Sequence, residues 1–348
     1  MKKDKKDLHM HGSRIKPKVY VTRRIPESGI NLLQKHCEVR LYPWNGVAPR
    51  EELMREVKWC DALLCLLTDR IDEALISANP SLRIIANYAV GFDNIDIEAA
   101  TRRNIPVTNT PAVLTDAVAE HTFALMMAIA RRIPESDRFT RKGKFKGWEP
   151  ILFLGTELKG KTLGIIGSGR IGSGVAERAA KGMGMNILYF DIKRNHQFEQ
   201  AYQAKFAELD FIIKEADFIT IHVPLLPTTR HLIGAKQLKI MKRTAYLINT
   251  SRGPVIDEEA LVKALKEKRI AGAALDVYEF EPKLSAGLER LDNVVLTPHT
   301  ASGTHETRSA MAALAAMNVL EALKGKIPPN LVNTEVDEFL SKEPLLDP

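Results

Sequence analysis

The sequence predicts an α/β fold with two domains, each built on a parallel β-sheet. The chain has 348 residues, which is more than one hydrophobic core usually covers. From Lys18 onwards, short apolar runs alternate with helical segments, as βα units require. Midway along the chain, a glycine-rich turn at residues 167–172 follows an apolar run and opens into a helical pattern. Such a turn is typical of the first βα junction of a doubly wound sheet.

The first part of the chain predicts one α/β unit. Residues 62–67 form a continuous apolar run, which is typical of a strand that is covered on both faces. Strands are predicted at 19–21, 38–42, 62–67, 82–86 and 106–108, and helices at 27–36 and 51–58. A long apolar helix follows over 114–132, with Thr115 or Asp116 as its cap and Pro134 as its end. The basic stretch 138–150 is predicted to be a loop or arm.

A second α/β unit begins near Lys161. Strands are predicted at 163–166, 187–190, 218–223, 245–248, 272–275 and 294–296, and helices at 172–181, 206–216, 235–241 and 257–268. Six strands with interleaved helices match a complete dinucleotide-binding sheet. A final helix is predicted over 306–323.

The glycine-rich turn has the spacing G-x-G-x-x-G, as G-S-G-R-I-G at residues 167–172. Gly167 would allow the tight turn, Gly169 the approach of a pyrophosphate, and Gly172 the close packing of helix on strand. The phosphates would lie at the helix N-terminus, where free N–H groups favour an anion. Asp191 ends the next apolar run, about twenty residues on, where an acidic residue is expected to bind the ribose. The pattern predicts a dinucleotide site.

Polar residues follow the later strands at the edge where α/β sheets bind ligands. Arg252 could hold a carboxylate, and His299 could exchange a proton with a carbonyl or alcohol. An acidic segment at 276–281 could supply a carboxylate that orients the histidine and favours its protonated form. Val90 and Gly91 could offer successive N–H groups as an anion nest. These residues predict hydride transfer on a 2-keto or 2-hydroxy acid.

Composition is ordinary for a globular enzyme, with 45% hydrophobic and 27% charged residues. No apolar run approaches the ~20 residues of a membrane span. The three cysteines, Cys37, Cys60 and Cys65, lack metal-site spacing and are expected to be reduced and buried. Much of the net charge of +7 lies in the first residues, so no nucleic-acid partner is expected. We expect a cytoplasmic protein without membrane contact or bound metal.

From about residue 18 to 333, the chain contains six motifs in an order that resembles the D-isomer-specific 2-hydroxyacid dehydrogenases. It most resembles their glyoxylate/hydroxypyruvate reductase branch. The motifs are N-Y-A-V-G-F-D-N at 87–94, G-S-G-R-I-G at 167–172, H-V-P-L at 222–225, N-T-S-R-G at 249–253, E-F-E-P at 279–282 and T-P-H at 297–299.

The resemblance implies specific roles for residues in these motifs. It implies that Arg252 clamps the substrate, that His299 is the acid/base and that Glu281, rather than Glu279, is the partner of the histidine. The substrate carboxylate would bind Val90 and Gly91, with Leu66 lining the pocket. The implied cofactor contacts are Thr115, Gly167, Gly169, Arg170, Ile171, Gly172, Asp191, Val223, Pro224, Thr228, Thr250 and Asp276.

The resemblance also implies the domain organisation. Two Rossmann-like domains are expected, with the cofactor domain at 113–299 inserted into a substrate domain made of 17–112 and 300–333. The active site would lie in the cleft between them. Residues 1–16 would be a disordered leader or an expression remnant, and 334–348 a tail. A homodimer is implied, held through the cofactor domain and its arm.

The implied activity is reduction of glyoxylate or hydroxypyruvate to glycolate or D-glycerate. Asp191 favours NAD(H), although Lys193 and Arg194 leave NADP(H) open. A D-lactate or 3-phosphoglycerate type of dehydrogenase also remains open. A dinucleotide-sensing corepressor would share the fold, but Arg252, Glu281 and His299 together favour an enzyme.

Overall fold

The computed structural model of the protein describes residues 16–336 and 343–347. The predicted leader at 1–16 therefore lies outside the described residues except for Lys16, and the predicted tail is described only in part. The described chain divides into two compact units. One holds the residues up to Pro111 and those from Arg308 onwards, and the other holds Ala112–Thr307.

The first unit is built on a five-stranded sheet in the order β2-β1-β3-β4-β5, in which every strand pair is parallel. Its strands are β1 (Lys18–Val21), β2 (Glu38–Leu41), β3 (Ala62–Cys65), β4 (Ile84–Asn87) and β5 (Val107–Thr108). Its helices are α1 (Glu27–His36), α2 (Arg50–Trp59), α3 (Glu73–Ser77) and α4 (Ile97–Arg102). All residues of β3 and β4 are buried, as expected for central strands that are covered on both faces.

The last helix of the chain, α12 (His305–Leu323), returns to this unit. It packs on α1 at Gly29, where a Cβ would lie 2.5 Å from the carbonyl oxygen of Ala312. The Oγ of Ser28 donates to the carbonyl of Ser309 beside this contact. Glycine at position 29 is therefore required by the close approach of the two helices.

The second unit contains a seven-stranded parallel sheet in the order β12-β11-β10-β9-β6-β7-β8. Its strands are β6 (Thr162–Ile166), β7 (Asn186–Phe190), β8 (Lys205–Phe206), β9 (Phe218–Ile221), β10 (Tyr246–Asn249), β11 (Gly272–Leu275) and β12 (Val294–Leu296). Its helices are α5 (Thr115–Ala130), α6 (Ile133–Arg141), α7 (Arg170–Glu177), α8 (His196–Tyr202), α9 (Leu209–Glu215), α10 (Ala235–Ile240) and α11 (Glu258–Lys266).

Separate apolar cores cover the two faces of this sheet. On one face, strand residues such as Leu163 and Ile165 pack with α5 and α7 residues such as Val175. On the other face, neighbours such as Ile166 pack with residues of α9, α10 and α11. The alternation along β6 explains why its residues are apolar on both faces.

The fold class is as predicted, but several details of the elements differ. The second sheet has a seventh strand, β8, whose two residues at the sheet edge give no apolar run to detect. Helix α5 begins at Thr115 without any side-chain cap, so the predicted capping by Thr115 or Asp116 is wrong. Pro134 lies in the first turn of α6, so it begins a helix that covers part of the predicted arm.

The division between the units also differs from the expected boundary at 299/300, since it follows Thr307. The reason is local. The backbone N–H groups of Thr300 and Ala301 both donate to the buried carboxylate of Asp276, each at 2.8 Å. These bonds hold the residues after His299 on the second unit.

Candidate active site

Three loops carry the predicted catalytic residues, and they follow three neighbouring strands. In register, Asn249 at the end of β10 pairs with Leu275 of β11, and Leu275 pairs with Leu296 of β12. Backbone hydrogen bonds continue past the strand ends, from the N–H of Asp276 to Asn249 O at 3.0 Å and from that of His299 to Asp276 O at 2.8 Å. The loops with Arg252, Glu281 and His299 therefore share one edge of the sheet.

His299 and Glu281 form a direct pair. The Nδ1 of His299 lies 2.9 Å from Oε2 of Glu281, and the histidine side chain is 26% exposed. The other carboxylate oxygen of Glu281 accepts the backbone N–H of Tyr278 at 3.0 Å. The carboxylate thus fixes the ring and selects the tautomer with a proton on Nδ1. Nε2 of His299 makes no hydrogen bond among the described residues, so it can exchange a proton with a ligand.

Arg252 is positioned by the short loop after β10. The buried amide of Asn249 donates to the carbonyl of Arg252 at 2.9 Å and accepts from the N–H and the hydroxyl of Ser251. The next residue, Gly253, leaves no room for a side chain, because a Cβ would lie 1.9 Å from the carbonyl carbon of Tyr278. This close approach places the arginine loop directly against the loop that carries Glu281. The sequence motif contained Asn249 and Gly253, but their structural roles were not predicted.

Glu279 has a different partner from Glu281. Its Oε1 lies 2.6 Å from Nε2 of His231, and its Oε2 accepts the N–H of Glu258. The buried carboxylate of Glu258 in turn accepts the N–H groups of Glu279 and Ser285, at 2.7 and 2.8 Å. These contacts hold residues 279–285 against the start of α11. Neither His231 nor Glu258 was predicted from sequence, since their roles depend on contacts across the fold.

Asp276 is fully buried at the base of the same edge. Burial alone would raise the pKa of its carboxyl group. Hydrogen bonds from the side chains of His121 and Thr297, and from two backbone N–H groups, outweigh burial and lower that pKa below its ordinary value. The carboxylate therefore remains charged beneath the His299 loop. Its side-chain partners are His121 of α5 and Thr297, Thr300 and Ala301 of this loop.

The glycine-rich turn has the geometry of a phosphate-binding loop. Gly167 has φ of 100°, and a Cβ there would lie 2.8 Å from the carbonyl oxygen of His222. A Cβ at Gly172 would lie 2.0 Å from the carbonyl oxygen of Gly167. Packing within the protein thus requires both glycines. Gly169 differs, because a Cβ there would meet no atom within 4 Å.

Gly169 is the N-cap of α7, and Arg170 and Ile171 form the first turn of that helix. Its open surroundings mean that the fold itself does not require glycine at this position. A ligand that approaches the backbone at the helix N-terminus would require it, as a pyrophosphate does. The loop therefore fits the phosphates of a nicotinamide dinucleotide.

Asp191 lies beside this turn at the end of β7. Its Oδ2 accepts the N–H and the hydroxyl of Ser168, at 2.8 and 2.7 Å, and its Oδ1 accepts the N–H of Ile192. Lone pairs of the carboxylate remain for a ribose hydroxyl. Arg194 is held by Glu199 through two bonds, at 2.7 and 3.0 Å. These bonds, together with one from the hydroxyl of Tyr189, lower the pKa of Glu199 to about 2.

The remaining residues predicted to bind the cofactor lie around the same sheet edge. Val223, Pro224 and Thr228 form the loop after β9, in which Pro224 and Thr228 are exposed. Thr115 begins α5. Thr250 is buried, and its hydroxyl lies 2.7 Å from that of Thr122 in α5. Thr250 therefore links the arginine loop to α5 within the fold.

Leu66, Val90 and Gly91 belong to the first unit, at the ends of β3 and β4. Side-chain amides hold the two carbonyl groups of the loop: Asn109 donates to Val90 O at 2.7 Å, and Asn87 to Gly91 O at 2.8 Å. The backbone N–H groups of Val90 and Gly91 make no hydrogen bond within the described chain. They are available to an anion, as the predicted nest requires.

Cys37, Cys60 and Cys65 are free and buried, as predicted. Among residues 16–336 and 343–347, no cluster of histidine, cysteine or acidic side chains could hold a metal ion. No helix of this part is long and apolar enough to cross a membrane.

Comparisons with known proteins indicate the family to which the chain is similar. Residues 123–301 match the family described as D-isomer specific 2-hydroxyacid dehydrogenase, NAD binding domain. The chain is 53% identical over 326 residues to a glyoxylate reductase of Thermococcus litoralis, covering 92% of this chain and 98% of the relative.

Solved structures are similar over the same length. A protein from Thermus thermophilus superposes with a TM-score of 0.85 at 41% identity, covering 90% of this chain and 99% of that one. An NADPH-dependent glyoxylate/hydroxypyruvate reductase from Sinorhizobium meliloti, solved with NADP and malonate, gives a TM-score of 0.81 at 30% identity, covering 92% of this chain and 98% of that one.

Proposed function

The chain belongs to the D-isomer-specific 2-hydroxyacid dehydrogenases, and we propose that it reduces glyoxylate and hydroxypyruvate to glycolate and D-glycerate. It is an oxidoreductase with a nicotinamide cofactor. The observation that carries the proposal is the pair of His299 and Glu281, at 2.9 Å, on the same sheet edge as Arg252. The substrate is proposed from the relatives, which are named for glyoxylate or hydroxypyruvate.

The substrate is an anion, and the chain offers two sets of donors for it. We assign its carboxylate to the free N–H groups of Val90 and Gly91 and to the guanidinium of Arg252. The planar fork of Arg252 would also donate to the carbonyl oxygen that reacts. Leu66 would line the pocket without offering a hydrogen bond.

When bound, the nicotinamide would supply the hydride that adds to the carbonyl carbon. In this step, protonated His299 gives a proton from Nε2 to the carbonyl oxygen, while Glu281 holds Nδ1 and stabilises the imidazolium. Arg252 stabilises the negative charge that develops on that oxygen. In the reverse direction, neutral His299 takes the proton from the alcohol.

NADH is the cofactor that we propose. The carboxylate of Asp191 would accept hydrogen bonds from a ribose 2′-hydroxyl and repel a 2′-phosphate. Of the two cations that follow it, Arg194 is already engaged by Glu199. Because its fork is occupied, Arg194 is a poor ligand for the phosphate of NADPH. This leaves Lys193 alone to favour NADPH.

A homodimer is the assembly that we propose. The segment after α6 exposes four large apolar side chains, Phe145, Trp148, Ile151 and Leu154, of which Trp148 is 84% and Ile151 77% exposed. Several large apolar side chains exposed within one short segment are typical of a protein interface. Light scattering should give twice the mass of the chain, and the double variant Trp148→Ser, Ile151→Ser should shift the mass towards that of the single chain.

The activity is tested by a panel of 2-keto acids with NADH and with NADPH. We expect the highest kcat/KM for glyoxylate and hydroxypyruvate, with NADH preferred. Turnover of pyruvate or of phosphohydroxypyruvate in their place would assign the chain to another branch of the family. No turnover of glyoxylate or hydroxypyruvate would contradict the proposal.

A further inference from the structure

Arg23 is a half-buried cation with unsatisfied hydrogen-bonding capacity. Its Nη2 donates to Oγ1 of Thr68 at 3.0 Å, while its Nε is buried and has no partner. Among the described residues it forms no ion pair. Arg24 provides a contrast, because its exposed side chain pairs with Glu27 at 2.5 Å. A buried guanidinium N–H without an acceptor is costly, and the fold retains this arginine in spite of that cost.

Arg23 lies at the edge of the first sheet that also carries the anion nest. The backbone N–H of Thr22 bonds to Leu64 O at 3.1 Å, and that of Tyr88 to Cys65 O at 2.8 Å. Arg23, Leu66 and the Val90–Gly91 loop therefore follow the ends of three neighbouring strands, β1, β3 and β4. Ligands of α/β sheets bind at this edge.

A network of hydrogen bonds fixes the three loops relative to one another. The buried carboxylate of Asp69 accepts from the hydroxyl of Thr22 and from the N–H of Leu66. The amide of Asn94 donates to the carbonyl groups of Leu66 and Asp69, each at 3.1 Å. The Oδ1 of Asn94 accepts from Asn87, which also holds the loop of the nest. Arg23 is thus attached to the same rigid scaffold as the nest.

We infer that Arg23 binds an oxygen-bearing substituent on the third carbon of the substrate and so selects hydroxypyruvate over pyruvate. The inference rests on the proposed function, in which the carboxylate occupies the nest and the second carbon reacts at His299. The third carbon then remains for the neighbouring loops of the first unit. Leu66 offers only apolar contact there, whereas Arg23 offers N–H donors and positive charge. The exposed Nη groups of Arg23 can donate to a hydroxyl oxygen beside the bond to Thr68.

Three substrates distinguish a role of Arg23 at the third carbon from a general effect on activity. Hydroxypyruvate carries a hydroxymethyl group, pyruvate a methyl group of similar size, and glyoxylate no third carbon. We expect Arg23→Leu to lower the ratio of kcat/KM for hydroxypyruvate over pyruvate by about tenfold or more, since a hydrogen bond from a charged donor is lost. The ratio of hydroxypyruvate over glyoxylate should fall similarly. Arg24→Leu is the matched control and should change neither ratio.

Two further measurements keep the inference testable if Arg23→Leu is less stable than the wild type. Thr68→Val removes the acceptor that orients the guanidinium and should lower the same ratio by a smaller factor. With NADH bound, the hydroxy acids bind without turnover, and NADH fluorescence follows their binding. The dissociation constant of D-glycerate divided by that of D-lactate should rise in both variants. Equal losses for all three keto acids, or unchanged ratios in both variants, would overturn the inference. Failure of the proposed function looks different, because the wild-type protein would then reduce neither glyoxylate nor hydroxypyruvate.

Discussion

The carboxylate of Glu281 contacts Nδ1 of His299 at 2.9 Å and at the same time accepts the backbone N–H of Tyr278. This double engagement determines what an amide would do in its place. In Glu281→Gln, the amide oxygen would keep the Tyr278 N–H, and the NH₂ group would turn to His299. Nδ1 would then have to accept, so the ring would hold its proton on Nε2 and lose its ability to exchange it.

We therefore expect Glu281→Gln to lower kcat on the order of tenfold or more in both directions. The matched control is Glu279→Gln, two positions away, where the carboxylate pairs with His231 instead. Its kcat should fall by a much smaller factor. Equal losses in the two variants, at equal thermal stability, would remove the special role of Glu281.

The glycines of the turn should separate cofactor binding from folding. Gly169→Ala adds a Cβ that meets no protein atom within 4 Å, at φ of −69° that alanine adopts freely. We expect an unchanged melting temperature and a raised Kd for NADH. Gly172→Ala should instead lower the melting temperature, because its Cβ would lie 2.0 Å from Gly167 O. Tight NADH binding by Gly169→Ala would contradict the assignment of the phosphate site.

Cofactor preference should depend on two carboxylates, each of which disfavours NADPH. Asp191→Ser removes the repulsion of a 2′-phosphate and should raise kcat/KM for NADPH relative to NADH by about tenfold or more. Glu199→Gln removes the charge that engages Arg194, so it should raise NADPH use by a smaller factor. Steady-state kinetics with both cofactors measure the ratio. A wild-type preference for NADPH would contradict the reasoning on both residues.

His222 should make the protein less stable in acid. Burial holds its pKa at about 3, well below the ordinary value of ~6.5, and its buried Nε2 has no partner. As pH falls from ~6.5 towards 3, the unfolded chain takes up a proton that the folded chain refuses. The free energy of unfolding should therefore decrease through this window, by up to about 1.4 kcal/mol per pH unit.

Urea unfolding at pH 7, 6 and 5 tests this expectation. His222→Asn should show a flatter dependence on pH than the wild type, whereas His36→Asn, at an exposed position, should not. The same slope in all three proteins would mean that His222 does not control the acid response.

Sequence predicted most of the strands and helices, because burial on both faces leaves continuous apolar runs. Helix α1 and strands β11 and β12 have the predicted bounds. The two-residue strand β8 and the short helices α3, α4 and α8 were missed, since such short elements depend on their neighbours rather than on their own pattern. Helix α6 was predicted as part of an arm because its charged sequence has no buried residue.

Sequence reasoning could propose the catalytic residues because each follows a strand and lies in a recognisable motif. The residues that position them were not accessible to sequence reasoning. The contacts of Glu258 with Glu279 and Ser285 and of Asp69 with Thr22 join residues that are far apart in the chain. The choice between Glu279 and Glu281 rested on resemblance alone, and the structure adds that each carboxylate pairs with a different histidine. Only the folded chain brings such partners together.

The most direct test of the account is the kcat of His299→Gln for reduction of glyoxylate by NADH, with the Kd of NADH measured on the same preparation. Loss of the acid that protonates the carbonyl oxygen should lower kcat by about 100-fold or more. The Kd should stay within about twofold, because the described contacts of the phosphate loop do not involve His299. A wild-type kcat in this variant would contradict the mechanism.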